Sequence, residues 1–251
     1  MIVIKFGGHA MDSDPKWMNE IASLWKSGKK FVIVHGGGPQ IDIQLKVEGI
    51  ESEFRGGFRI TTPEVMKVVE AVLTGTVLRS VVRSLAAVGL PAVGVTGSDA
   101  KLLEVKLKDD GALGLVGEVV RVNPAILETL LGKGFLPVVA PVSNGNDGKA
   151  LNVNADLAAG AIAGALAAEE MLFMTDVPGI YRNWPDRDSL ISEISITELA
   201  KLQFADGMVP KVAAAINAVS SGAKSVRIID GKSLDAFRAA LSGKGGTWVR
   251  N

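Results

Sequence analysis

Apolar positions along this chain of 251 residues fall into short continuous runs, separated by longer segments of helical period. The runs are Ile2–Phe6, Phe31–Val34, Ala92–Val95, Leu136–Ala140, Met171–Met174 and Val226–Ile229. They are short and mostly β-branched, the pattern of strands covered on both faces. Between them, Pro15–Lys26, Pro39–Val47, Pro63–Val88, Pro124–Leu131, Ala155–Ala168, Val209–Ser221 and Ser233–Leu241 predict helices. Several open with proline in the first turn, where its missing N–H is no loss. Ser195 and Glu198 frame a capping box for one more short helix. The alternation predicts βαβ units and an α/β fold with a mainly parallel open sheet. Lys101–Gly117 interrupts the pattern as a hairpin excursion, and Asn183–Ser189 as a surface loop. No repeat or long linker is visible. A division would fall near Ala168, giving an N-terminal lobe of residues 1–168 and a C-terminal lobe of residues 169–251.

Composition narrows the chemistry. At 47% hydrophobic and 22% charged, the chain can build a sizeable core. Lys+Arg and Asp+Glu are both 27, so the basic surplus of a nucleic-acid binder is missing. There is no cysteine, which removes disulfides, thiolate catalysis and cysteine-based zinc sites. His9 and His35 are the two histidines, too few for a histidine-rich metal site. The longest apolar run, Leu157–Ala168, has 12 residues, against the ~20 needed to span a bilayer. Met1–Phe6 is too short for a signal segment. The expectation is a soluble cytoplasmic protein with neither nucleic-acid nor membrane partners.

The candidate chemistry lies where strands end. Gly7-Gly8 closes the first strand, and His35-Gly36-Gly37-Gly38-Pro39 closes the second and opens a helix. Ligands of open α/β sheets bind at the carboxyl ends of strands. Glycine there lets backbone N–H groups reach an anion beside a helix N-terminus, although tight turns alone also use glycine. Neither G-x-x-x-x-G-K-[ST] nor G-x-G-x-x-G occurs, so the chain is neither a P-loop enzyme nor a standard dinucleotide binder. His35-Gly-Gly-Gly lacks the G-x-S-x-G elbow that an esterase would need. Lys5 sits in an apolar run, either reaching out past the strand end or contacting an anion. Lys211 follows Pro210 in the first turn of a helix, where a cation opposes the dipole unless a phosphate is bound; a solvated lysine is the alternative. Asn154 is a natural N-cap, and Asn152 and Asp156 flank it, either as structure or facing a ligand. Arg59 is a carboxylate clamp or a surface charge. Asp176–Tyr181 is a turn at another strand end.

Taken together, these segments resemble the amino acid kinase family from end to end, most closely its branch acting on N-acetyl-L-glutamate. The matching pieces are Lys5-x-Gly-Gly, His35-Gly-Gly-Gly, Phe58-Arg59-x-Thr61, Gly114-x-x-Gly117-Glu118, Asn152-Val-Asn154-Ala-Asp156, Thr175-Asp176-Val-x-Gly179, Gly207-Met208-x-x-Lys211 and Gly246-Thr247. The resemblance implies a three-layer αβα sandwich. Its N-terminal lobe would bind the acyl amino acid and dimerise; its C-terminal lobe would bind ATP. Lys5 and Lys211 would neutralise the transferring phosphoryl group, with Asp156 orienting both. Gly7, Gly8 and Gly36 would form the phosphate loop. Gly37, Gly38, Arg59 and Asn152 would hold the substrate. Asp176, Val177, Pro178, Gly179, Ile180 and Tyr181, with Gln203, Phe204 and Ala205, would line the nucleotide site. Mg²⁺ would ride on the ATP phosphates and not in a protein cage. The implied reaction, in arginine biosynthesis, phosphorylates a carboxylate that is already ionised at neutral pH, so no base is needed. Leu78-Arg79 stands where the family usually carries Asn-Lys near its substrate site, which bears on acyl specificity. Four residues precede Lys5, where arginine-inhibited hexameric relatives carry an extra helix; the expectation is a homodimer without that feedback. The alternatives are a kinase acting on carrier-bound aminoadipate or glutamate, and a non-catalytic nucleotide-binding protein on the same fold.

Overall fold

The computed structural model describes residues 1–7, 15–204 and 207–251. In chain order it contains β1 (Ile2–Phe6), α1 (Pro15–Lys26), β2 (Phe31–His35), α2 (Gly38–Val47), β3 (Phe54–Arg55), β4 (Phe58–Arg59), α3 (Pro63–Glu70), α4 (Leu78–Ala87), β5 (Ala92–Thr96), β6 (Leu103–Leu107), β7 (Val116–Val122), α5 (Ala125–Gly132) and β8 (Leu136–Ala140). There follow β9 (Val142–Asn144), β10 (Ala150–Val153), α6 (Ala155–Ala165), β11 (Glu170–Thr175), β12 (Glu193–Ser195), α7 (Ile196–Leu199), α8 (Val209–Ser220), β13 (Val226–Asp230), α9 (Leu234–Leu241) and β14 (Thr247–Arg250). The eight-stranded central sheet runs β12-β14-β13-β11-β1-β2-β8-β5. It is parallel except that β14 runs against β13, with β12 parallel to β14. A proposed boundary at residue 168 falls between α6 and β11, and the sheet continues across it through the β1–β11 pairing.

Strand alternation sorts the side chains into two cores. Ile2, Ile4 and Phe6 of β1 and Phe31 and Ile33 of β2 enter the layer filled by α1–α4 and α9. Val3, Val32 and Val34 enter the opposite layer, filled by α5–α8. Side chains on successive strand residues point to opposite faces, so each strand must be apolar throughout, as its sequence is. The predicted sandwich is therefore present. Among the described residues, no helix is long and apolar enough to cross a membrane.

Three features differ from the sequence expectation. Pro63–Val88 is not one α-helix: Ala71–Val77 forms a π-helical stretch between α3 and α4, a widening often found at functional sites. The excursion after Lys101 belongs to a second sheet, β6-β7-β10-β9, and β3 pairs with β4 in a separate hairpin. The short strand β14, which lies between β12 and β13, was hidden by its polar context, Gly246-Thr247 and Arg250.

The helix pair α6/α8 sets the site. Both helices meet through small residues: Ala158, Ala159, Gly160 and Ala163 on α6, and Ala214, Ala215 and Ala218 on α8. A Cβ on Gly160 would lie 2.6 Å from the Ala214 carbonyl oxygen, and one on Gly164 would lie 2.6 Å from Ser221 Cβ. Only hydrogen at these positions allows so close an approach, which brings the two helix N-termini side by side.

Candidate active site

The N-terminal turn of α6 carries the centre of the site. Asn154 Oδ1 accepts from the N–H groups of Asp156 and Leu157, at 2.9 and 3.2 Å, and so caps the helix. Asp156, in the first turn, is buried at 5% exposure. Its Oδ1 lies 2.7 Å from Lys5 Nζ at the end of β1, and its Oδ2 lies 3.3 Å from Lys211 Nζ in the first turn of α8. Burial pushes the Asp156 carboxyl up, but the charges of Lys5 and Lys211 together outweigh it and hold the group below the usual carboxylate range. The helix dipole acts in the same sense. One carboxylate between two ammonium groups leaves a net positive charge, aimed at the same strand ends as the glycine turns.

The turn after β2 borders a cleft of about 210 Å³ lined by Lys5, Gly36, Gly37, Gly38, Arg59, Asn152 and Asp156, among others. Gly37 fits because Leu73, from the π-helical stretch, closes against it: a Cβ there would lie 2.6 Å from Leu73 Cδ2. Arg59 is buried at 6% exposure. Its guanidinium pairs with Asp42 Oδ1 at 2.6 Å, donates to Ser52 Oγ, lies 3.4 Å from the Gly38 carbonyl oxygen and stacks 4.6 Å over the Phe54 ring. It is therefore a fixed group at the cleft wall, with donors left over from its planar fork. Asn152 Nδ2 donates to Thr61 Oγ1 at 3.1 Å, and Thr61 donates in turn to the Arg59 carbonyl at 2.9 Å. The hairpin bearing Arg59 is thus tied to β10.

A second, more apolar cleft of about 220 Å³ is lined by Val177, Gly179, Ile180, Tyr181, Arg182, Trp184, Gln203, Phe204 and Met208. Tyr181 and Trp184 meet edge to face, with centroids 5.2 Å apart. Ile180 N–H donates to Thr247 Oγ1 at 2.7 Å, and Thr247 donates to the Ile191 carbonyl, so β14 pins this loop. Of the anticipated nucleotide residues, Asp176 and Pro178 are exposed and outside the lining. Gly8 and Ala205 lie outside the described residues. Gly7 ends β1 beside Met174 and does not line the first cleft. Arg182, Trp184 and Met208 were not anticipated; an exposed tryptophan inside a polar loop was the available signal. Met208 caps α8 while Lys211 opens it, so one short segment joins the second cleft to Asp156.

Leu73, Ile41 and Phe54 of the first cleft were also missed, because isolated apolar residues carry no mark of which way they face. Leu78, which raised the question of acyl specificity, is fully buried in the core and outside the lining; the π-helical stretch just before it contributes Leu73 instead.

Comparison with known proteins gives the family and agrees with the fold. Residues 1–230 match the Amino acid kinase family. The chain belongs to the amino acid kinase family. Acetylglutamate kinase from Mycolicibacterium vanbaalenii is 44% identical over 243 residues, spanning 92% of this chain and 84% of that protein. The Corynebacterium glutamicum acetylglutamate kinase is 41% identical over 257 residues, spanning 98% of this chain and 87% of that protein. A crystal structure from Streptococcus mutans UA159 superposes with a TM-score of 0.85 at 27% identity, over 99% of this chain and 98% of that one. Carbamate kinase from Giardia lamblia, at 21% identity and a TM-score of 0.74 over 100% of this chain and 98% of that one, shares the fold of this amino acid kinase.

Proposed function

We propose that this chain transfers the γ-phosphoryl group of ATP to the side-chain carboxylate of N-acetyl-L-glutamate, forming N-acetyl-L-glutamyl 5-phosphate, a step of arginine biosynthesis. The observation that carries the reading is the Lys5–Asp156–Lys211 cluster, whose Lys5 and Asp156 line the first cleft while Lys211 lies three residues past Met208 of the second. The acetylglutamate kinases at 41–45% identity support the choice of substrate.

In this reading Arg59 and Asn152 hold the substrate's own carboxylate and amide, while Gly37 and Gly38 offer backbone N–H groups to the reacting end. The apolar cleft at Val177–Tyr181 takes the adenine ring. The acceptor carboxylate is ionised at neutral pH, so the residues align and neutralise and need not remove a proton. Lys5 and Lys211 stabilise charge on the transferring group, and Asp156 fixes both ammonium groups before substrate arrives. Mg²⁺ carried by the ATP phosphates would supply further neutralisation. The protein's donor set suits a metal carried in this way, since both Asp156 oxygens are already engaged by lysines. We assign acyl-substrate binding to residues 1–168 and nucleotide binding to residues 169–251, and expect a homodimer, which sedimentation equilibrium tests.

ADP release from Mg-ATP tests the reaction, with N-acetylglutamate, glutamate, aspartate and N-acetyl-aminoadipate in parallel and Lys5→Ala as the blank. Turnover with N-acetylglutamate alone, lost in the variant, is the expected result. ATP binding without turnover on any of the four would sink the assignment and leave a carrier-bound substrate or a non-catalytic role.

A further inference from the structure

Lys5 and His35 lie near the ends of adjacent strands but on opposite faces of the sheet. Phe6 pairs with His35 across β1 and β2, and strand alternation places His35 with Ile33 and Phe31 on the α1–α4 face. Lys5 points to the other face, toward Asp156. His35 is fully buried, and its Nδ1 lies 2.8 Å from the Gly36 carbonyl oxygen. That oxygen can only accept, so Nδ1 carries the proton and donates. Nε2 is then an acceptor, and it has no partner among the described residues. Burial keeps the ring neutral, lowering its pKa to about 4 against the opposing effect of the Gly36 bond.

The consequence falls on the next peptide group. The Gly36–Gly37 bond is trans, so its C=O and N–H point in opposite directions. With the carbonyl turned toward His35, the Gly37 N–H turns toward the Lys5 side of the sheet. It donates to no acceptor among the described residues, whereas the Gly36 N–H is used by the Phe6 carbonyl at 3.0 Å. Three consecutive glycines would otherwise allow this peptide to rotate freely.

We propose that His35 is a positioning residue: its Nδ1–H bond to the Gly36 carbonyl locks the Gly36–Gly37 peptide so that the Gly37 N–H stands as a fixed donor to the anionic groups held beside Lys5. This rests on the phosphotransferase reading above. It gives the buried histidine a task that needs no proton transfer, and explains why a strand otherwise apolar ends in an imidazole. A fixed backbone donor aimed at developing negative charge is worth about 10²–10³ in rate when removed.

The test uses the full chain with His35→Asn, which keeps an N–H donor at the δ position, and His35→Leu, which keeps bulk without a donor. Crystal structures give the orientation of the Gly36–Gly37 peptide, and steady-state assays give kcat and KM for each substrate. The expected result is a rotated peptide and a roughly 100-fold lower kcat in His35→Leu, with KM much less affected. His35→Asn should keep the peptide orientation and stay within about fivefold of the parent kcat. If His35→Leu does not fold, His35→Gln replaces it, because its amide reaches the ε position and misses the Gly36 carbonyl. A peptide that keeps its orientation without the δ donor overturns the proposal, whether or not the parent turns over N-acetylglutamate. Equal kcat in the two variants of an active parent overturns it as well. A parent that is inactive on N-acetylglutamate counts against the substrate reading alone, since the peptide orientation still decides this one.

Discussion

Gly160→Ala is a one-carbon change about a helical turn from Asp156, and its effect follows from packing alone. The added Cβ would lie 2.6 Å from the Ala214 carbonyl oxygen and 3.2 Å from the Ala214 carbonyl carbon, both backbone atoms that cannot rotate away. Ordinary contact begins near 3.4 Å, so α6 and α8 must part by about 0.8 Å. Overpacking of this kind costs about 1–3 kcal/mol. The same shift stretches the Lys211–Asp156 contact, now 3.3 Å, to about 4 Å, and a misplacement near 1 Å costs about 100-fold in rate. Urea unfolding and steady-state kinetics on the purified variant read the two effects separately. The expected outcome is a stability loss of about 1–3 kcal/mol together with a kcat lower by about one to two orders of magnitude while the protein is fully folded. An alanine variant with parental kcat and parental unfolding midpoint would refute the claim that close helix approach places Lys211.

Further predictions concern charge and the apolar cleft. Asp156→Asn leaves Lys5 and Lys211 facing each other without their shared carboxylate; breaking a buried pair in this way costs about 3 kcal/mol or more, so both Tm and kcat should fall, and a variant as stable as the parent would show that the cluster is not a buried ion pair. His35 has a folded pKa of about 4, below the ordinary histidine value of 6.5, so the unfolded chain takes up the proton first and stability falls as pH drops from about 6.5 to 4. Urea titrations should show ~2 kcal/mol lost from this group by pH 5, a slope absent in His35→Asn; identical slopes would refute it. Asp156 works in a lower window, because its depressed pKa stabilises the fold above the ordinary aspartate range and is lost only as pH falls below it. Trp184→Ala removes an aromatic wall of the apolar cleft and should raise the KM for ATP about tenfold while leaving that for N-acetylglutamate unchanged; the reverse pattern would move the nucleotide elsewhere.

The helices and central strands were legible in the sequence because their signals are local. Six short apolar runs predicted six strands of the large sheet, and Ser195 with Glu198 formed the expected capping box. Proline at first turns placed helix starts to within a residue or two, at Pro15, Pro63 and Val209. Lys5, Lys211 and the glycine turns stood out because a charge or a bare backbone in those settings is costly unless something uses it, whereas Asp156, an ordinary acid in a first helical turn, was given a role by the family resemblance alone. What the sequence could not supply was distance and facing. Lys5 and Lys211 are 206 positions apart, and they meet only because β1 lies beside β11 in the sheet and glycines let α6 and α8 touch. The π-helical stretch that turns Leu73 into the first cleft, and the β14 strand whose Thr247 pins the Val177–Tyr181 loop, arise from tertiary packing overriding local propensity. The sequence by itself determined the strands, the helices and a set of candidate residues for chemistry. The tertiary structure decided which of them act together, because contact between distant segments depends on sheet order and helix separation and leaves no local trace.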